Sequence, residues 1–319
     1  MLDIYNYFKY RSKALVRSAN INKMGLLKYA NSVRKYAGTS VMDADTVNQY
    51  IYQKIKSGEP FLAARFGSTE LLNIRTYDFP IDSKTKRDAR FQQLCKWSGF
   101  FPNNSNLLGR FTDIFKDSMK NIDIIAIWFH AFEDYYIERE MENIACTYLL
   151  NFEPWTGNVH WSAALKGKKV LVIHPFAETI EKQYQRREEI FPGTDILPKF
   201  ELRTVKAVQT LAGEVDTRFK DWFEALEWMY KEAMSADFDI AIVGCGAYGM
   251  PLAAKIKSAG KQAIHLAGAT QILFGIKGKR WEEDPAFAYV RKYFNDSWVY
   301  PSEDDKPKQA KLVENGCYW

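Results

Sequence analysis

VGCGAYGMPLAAKIKSAGKQAIHL, residues 243–266, decides the fold. Gly244, Gly246 and Gly249 give G-x-G-x-x-G after an apolar run, FDIAIV (238–243). A helix-patterned segment follows near 249–259, then a second apolar run, KQAIHL (261–266). Strand, glycine turn, helix and strand make a βαβ unit of a parallel sheet. Pro251 falls in the first helical turn, where its missing N–H does no harm. Glycines let a backbone approach a phosphate, and a helix N-terminus offers free N–H groups and a partial positive charge. Gly244, Gly246, Ala247, Tyr248 and Gly249 are therefore candidates to hold a phosphate or diphosphate. A tight turn that binds nothing is the alternative. A dinucleotide fold needs an acid about 20 residues on, at the end of the next strand, for the ribose. That strand here carries His265 and no acid, and the motif lies late in the chain, so a nicotinamide cofactor is disfavoured.

Other apolar runs are FLAARF (61–66), IDIIAIWF (122–129), KKVLVI (168–173) and FELRTV (200–205). Helix-like segments lie near 46–56, 137–150, 177–189 and 217–235. The alternation predicts an α/β fold: a mostly parallel, Rossmann-like sheet with helices on both faces, plus an N-terminal helical arm. The expected division is a basic arm over 1–40, one α/β domain over 41–300, and a polar tail over 301–319. The tail ends in VENGCYW, and its two aromatics predict that it folds back onto the body.

Composition narrows the class. The 47% hydrophobic content marks a globular chain, and a net charge of +5 from 44 basic and 39 acidic residues does not imply a nucleic-acid binder. Cys95, Cys146, Cys245 and Cys317 form no C-x-x-C pair, which argues against zinc or thioredoxin-like chemistry and for a reducing compartment. With no membrane-span run and no signal-peptide core, the expected location is cytoplasmic, with peripheral contact at the inner membrane face a further option. That option comes from residues 1–38, where eight Lys or Arg residues accompany one acid, Asp3, and aromatics such as Tyr5, Tyr7, Phe8 and Tyr10. Such an arm suits an anionic membrane surface. Packing on the body or on another subunit of a homo-oligomer is the plainer reading and is favoured.

Ligands of open α/β sheets bind beyond the carboxyl ends of the strands. Three of the four histidines, His130, His174 and His265, stand at predicted strand ends. After FLAARF comes Gly67-Ser68-Thr69-Glu70, with Glu70 in a new first turn as a candidate base or metal ligand. After the last run comes GATQILFGIKGKRW (268–281), where Gly268, Gln271, Lys277, Lys279 and Arg280 suit polyanionic oxygens and Trp281 a base or sugar face. Arg110 and Trp128 are weaker candidates.

The two ends together resemble the bacterial GT-D-type glycosyltransferases of surface glycan or glycoprotein assembly. That family has an Arg-x-Gly-Asp-Gly-Glu turn, associated with a divalent metal and the nucleotide-sugar diphosphate. Here Arg65, Gly67 and Glu70 match, and Ser68 stands at the Asp position. Serine is a neutral, weak ligand for Mn or Mg. The resemblance covers roughly 50–280. It implies a nucleotide-sugar donor, a glycan or lipid-linked acceptor, catalytic roles for Glu70, His174 and His265, and donor contacts from Arg65 to Ser68 and from 244 to 280. The alternatives are a non-catalytic nucleotide- or glycan-binding assembly protein and a dinucleotide-dependent oxidoreductase.

Overall fold

The computed structural model describes residues 3–313 and 315–319. Nine strands form one sheet: β1 (Lys35–Tyr36), β2 (Thr39–Met42), β3 (Leu62–Arg65), β4 (Ile124–Ile127), β5 (Ala145–Tyr148), β6 (Lys169–His174), β7 (Glu201–Lys206), β8 (Ile240–Val243) and β9 (Gln262–His265). Their spatial order is β1-β2-β5-β4-β3-β9-β8-β6-β7. Only β1 runs antiparallel, paired with β2. The chain is thus α/β with a mostly parallel sheet, as the alternation of runs predicts.

Successive residues of each strand face opposite layers, so both layers must be apolar. Ala64, Ile125, Ile173 and Val243 pack with helices Ser68–Asp78, Lys84–Ser98, Leu108–Met119, Trp222–Ser235 and Gly249–Ser258. Ala63, Ile124, Val172 and Ile242 pack on the other side with Ala44–Ser57, Ala177–Gln185 and the apolar residues of 272–298. The chain leaves β6 outward for β7 and leaves the adjacent β8 in the opposite direction for β9. That divergence opens a crevice beyond the carboxyl ends of β6 and β8.

Two segments differ from the sequence reading. The predicted helix near 137–150 is instead a helix, Glu133–Glu140, followed by β5. Asn143 has φ +50, which interrupts the helix, and β5 gains ladder partners from both β2 and β4. Residues 35–42, placed across the arm and its boundary, form a hairpin and join the sheet. Its two-residue turn, Ala37-Gly38, has φ +48 and +79, the combination that matches strand twist.

The arm consists of helices Ile4–Met24 and Leu26–Ser32. Tyr7, Tyr10 and Arg17 are buried on one face of the first. Arg17 pairs with Asp134 at 3.2 Å, and Tyr10 donates to Glu138. Among the described residues no helix is long and apolar enough to cross a membrane.

Candidate functional site

A cavity of about 150 Å³ sits at the carboxyl ends of β3, β6, β8 and β9. Arg65, Gly67, Ser68 and Glu70 line one side, and His265, Gly268, Gln271 and Arg280 another; His174, Gly244 and Gly246 complete it. Segments some 200 residues apart in sequence thus share one space, because β3 and β9 are neighbours in the sheet.

Arg65 ends β3, and its Nε donates to the Phe66 carbonyl at 2.9 Å. Burial lowers its pKa from the usual value, with Tyr318 and Glu70 opposing the shift and Arg280 adding to it. It stays cationic. Glu70 is buried in the first turn of Ser68–Asp78, and its carboxylate lies back over Gly67. A Cβ at Gly67 would lie 2.5 Å from the Glu70 Cδ, so only glycine leaves room for this pose. Ser68 is exposed at the start of the helix.

His174 ends β6 and His265 ends β9, both buried. Burial pushes the His174 pKa down to about 3. Its Nδ1 accepts from the Phe176 N–H at 3.0 Å, so the neutral ring carries its proton on Nε2 and acts as a donor. That tautomer suits a contact to a ligand oxygen. Burial, and then Arg65, push His265 down to about 3 as well. The buried atoms His265 Nδ1, Thr270 Oγ1 and Gln271 Oε1 have no hydrogen-bond partner among the described residues. His265 and Gln271 line the cavity.

The glycine loop takes a different part from the one its fingerprint suggests. A Cβ at Gly244 would meet the Ala267 carbonyl at 2.5 Å and Thr270 Oγ1 at 2.7 Å. One at Gly249 would lie 2.6 Å from His265 Cδ2. Gly246 has φ +57 and sits against the Ser98 carbonyl. The glycines therefore bring β8, β9 and a neighbouring helix close together. Gly244 and Gly246 reach the cavity; Ala247, Tyr248 and Gly249 do not line it. Tyr248 instead stacks on Trp222 at 5.1 Å.

Of the basic loop, Arg280 alone lines the cavity. Lys277 faces Glu282 at 3.8 Å, and the exposed Lys279 faces Glu283 at 3.8 Å. The short helix Lys279–Glu283 sends Lys279 and Arg280 in different directions. Trp281 is buried and borders a smaller space of about 30 Å³ behind Arg65 and Arg280. Arg110 lies over Phe223, and Trp128 is sandwiched by Tyr148 and Phe287. His130 is half-buried, its inaccessible Nε2 lacking a partner among the described residues, and it does not line the cavity.

The tail closes the space. Tyr318 and Trp319 line the cavity. Gln271 Nε2 donates to the Tyr318 carbonyl at 3.2 Å, and Arg280 reaches Tyr318 Oη at 3.3 Å. Trp319 Nε1 donates to the Asp305 carbonyl at 3.2 Å. Sequence reasoning missed Trp97, Phe115 and Gln209 on the cavity wall, and Glu153 behind it. Burial pushes the Glu153 carboxyl up to about 8, and it accepts from Tyr289. None of these carries a local signal.

The expected divalent metal finds a poor donor set. Glu70 is the one carboxylate among the described lining residues, beside the hydroxyl-bearing Ser68, Thr69 and Ser98 and two imidazoles. No group of three or more His, Cys, Asp or Glu residues gathers among the described residues. Hard cations want several oxygen ligands, so no step below is routed through a metal. Comparison of the chain with protein families, curated proteins and solved structures finds no match.

Proposed function

We propose that the chain is a nucleotide-sugar-dependent glycosyltransferase of bacterial surface polysaccharide or glycoconjugate synthesis, with its donor diphosphate held in the crevice of a Rossmann-like sheet. The observation that carries the reading is the meeting of Arg65 and Arg280, from opposite ends of the fold, in one cavity with Glu70. Two half-buried guanidiniums and the His174 Nε2–H supply positive charge and a donor where a departing diphosphate develops charge. Glu70 is placed to take the proton of an acceptor hydroxyl as its oxygen bonds to the anomeric carbon and the bond to the diphosphate breaks. Arg65 and Arg280 take over the charge role that a metal has in the family resembled.

Ser68 at the family's Asp position favours a second reading, a protein that binds the nucleotide or glycan without turnover. The oxidoreductase reading has less support. β9 ends in His265 with no ribose-binding acid, and Gly249 of the fingerprint is packed against His265. Calorimetric titration with UDP, GDP, CDP and NAD, with and without manganese, tests the set. The expected result is binding of one nucleoside diphosphate, weakened at least about tenfold by Arg280→Ala and unchanged by Lys279→Ala. Binding of NAD alone, or equal sensitivity to both substitutions, overturns the donor-site assignment.

A further inference from the structure

The first helix has two apolar faces, and the body covers one of them. Tyr7, Tyr10 and Arg17 point inward. On the opposite side Ile4, Tyr5, Phe8, Leu15 and Val16 are each more than half exposed. At 100° per residue these five fall within about one third of the helix circumference. Ser12 and Ala19 lie among them, and the exposed Lys9, Arg11 and Lys23 stand beside or within the same arc, while Lys13 turns to the body and pairs with Glu138 at 3.2 Å. No acidic residue occurs from Ile4 to Met42. An exposed helix face this apolar is unusual on a protein in water, and rimming cations specify what suits it.

We propose that this face of the arm lies in the surface of an anionic bilayer, with Phe8, Leu15 and Val16 entering the acyl boundary and Lys9 and Lys23 meeting phosphate headgroups. The pattern is that of an interfacial helix: large apolar side chains on one face, flanking cations and low net hydrophobicity. Charge complementarity selects this occupant over a second copy of the chain. Two arms laid face to face would bring their cations together with no acid from either helix to offset them. The placement is also consistent with the site. Arg17 anchors the arm to Asp134 and the His130 carbonyl, just past the carboxyl end of β4. β4 is the neighbour of β3, which carries Arg65 at its own carboxyl end. The arm and the cavity therefore share one edge of the sheet. The docking itself does not depend on the reaction.

The test is co-sedimentation of the full chain with vesicles of phosphatidylglycerol and phosphatidylcholine in equal parts, and with pure phosphatidylcholine. Binding to the anionic vesicles is expected, weakening in high salt. Lys9→Gln with Lys23→Gln should weaken it about 25-fold, roughly fivefold per cation. Phe8→Ser, Leu15→Ser and Val16→Ser together should weaken it about tenfold or more. All five side chains are exposed, so an unchanged thermal melt confirms that folding is intact. Absence of binding to either vesicle overturns the proposal. So does equal binding by the serine variant. A dimer in sedimentation velocity that the serine variant splits would assign the face to a second copy and overturn it equally.

Discussion

Replacing Gly249 by alanine tests whether the fingerprint glycine serves His265. The glycine lies in the first turn of Gly249–Ser258 with φ −57, a conformation alanine adopts without strain. Helix propensity alone makes the substitution stabilising by about 0.5–1 kcal/mol. Packing opposes it, because the added Cβ would lie 2.6 Å from His265 Cδ2 and closer still to Nε2. The ring ends β9 in a buried position, so it can retreat only by shifting into the cavity that it lines. Overpacking of this kind costs about 1–3 kcal/mol. The sum predicts a variant destabilised by about 1–2 kcal/mol. In a His265→Ala background the clash disappears, and Gly249→Ala should stabilise by the propensity term. Urea denaturation of the four proteins measures the coupling directly, with no need for an activity assay. A coupling energy of about 1–3 kcal/mol is expected. Additivity within about 0.5 kcal/mol would refute the reasoning, and the glycine would then be explained by ligand approach or by chance.

The Gly67→Ala substitution should displace the Glu70 carboxylate while leaving the fold intact, since its Cβ would meet the end of one side chain and φ is −79. Release of nucleoside diphosphate should fall about 100-fold, as expected for a misplaced catalytic group; wild-type turnover would remove Glu70 from the chemistry. Stability against pH is expected to peak near pH 6.5. Burial depresses His130 to about 4 and His174 and His265 to about 3, so below the unfolded histidine value only the unfolded chain takes these protons and stability falls as pH drops. Burial raises Glu133 to about 7 and Glu153 to about 8, so these two stay protonated when folded and ionise on unfolding, and stability falls as pH rises above their unfolded values. Between about pH 4.5 and 6.5 the two sets partly cancel and leave a net loss of about 1.4 kcal/mol per pH unit as pH drops; below that the loss steepens to about 2–3 kcal/mol per unit, until the folded histidines take protons themselves. Denaturant titrations across pH 3.5–8 check it, and a flat profile contradicts neutral buried imidazoles. Tyr318 and Trp319 stand on the cavity wall and narrow the space open to a ligand. Tyr318→Ala should therefore speed association of the nucleotide several-fold in stopped-flow fluorescence, and an unchanged rate means that the tail does not gate entry.

Much of the sheet was legible because its information is local. β3, β4, β6, β8 and β9 each coincide with an apolar run, since strands covered on both faces cannot be polar; β7, an edge strand of exposed and half-buried residues, coincides with the mixed run FELRTV. β5 was not legible, because ACTY becomes a strand only between β2 and β4. The hairpin at Ala37-Gly38 was missed for a different reason: alanine gives no warning that it will take a positive φ.

The sequence by itself determined that Arg65, His174 and His265 end strands and that Glu70 opens the helix after β3, because runs and their punctuation are written residue by residue. Only the tertiary structure decided which loop residues face inward. Arg280 enters the cavity while Lys279 does not, a matter of one step around a short helix. The fingerprint glycines turn out to be in contact with Ala267, Ser98 and His265, all distant or across a turn, and no local pattern encodes such approaches. Trp97, Phe115 and Glu153 join the site for the same reason: packing in three dimensions brings together side chains whose own neighbourhoods in sequence are silent about the ligand.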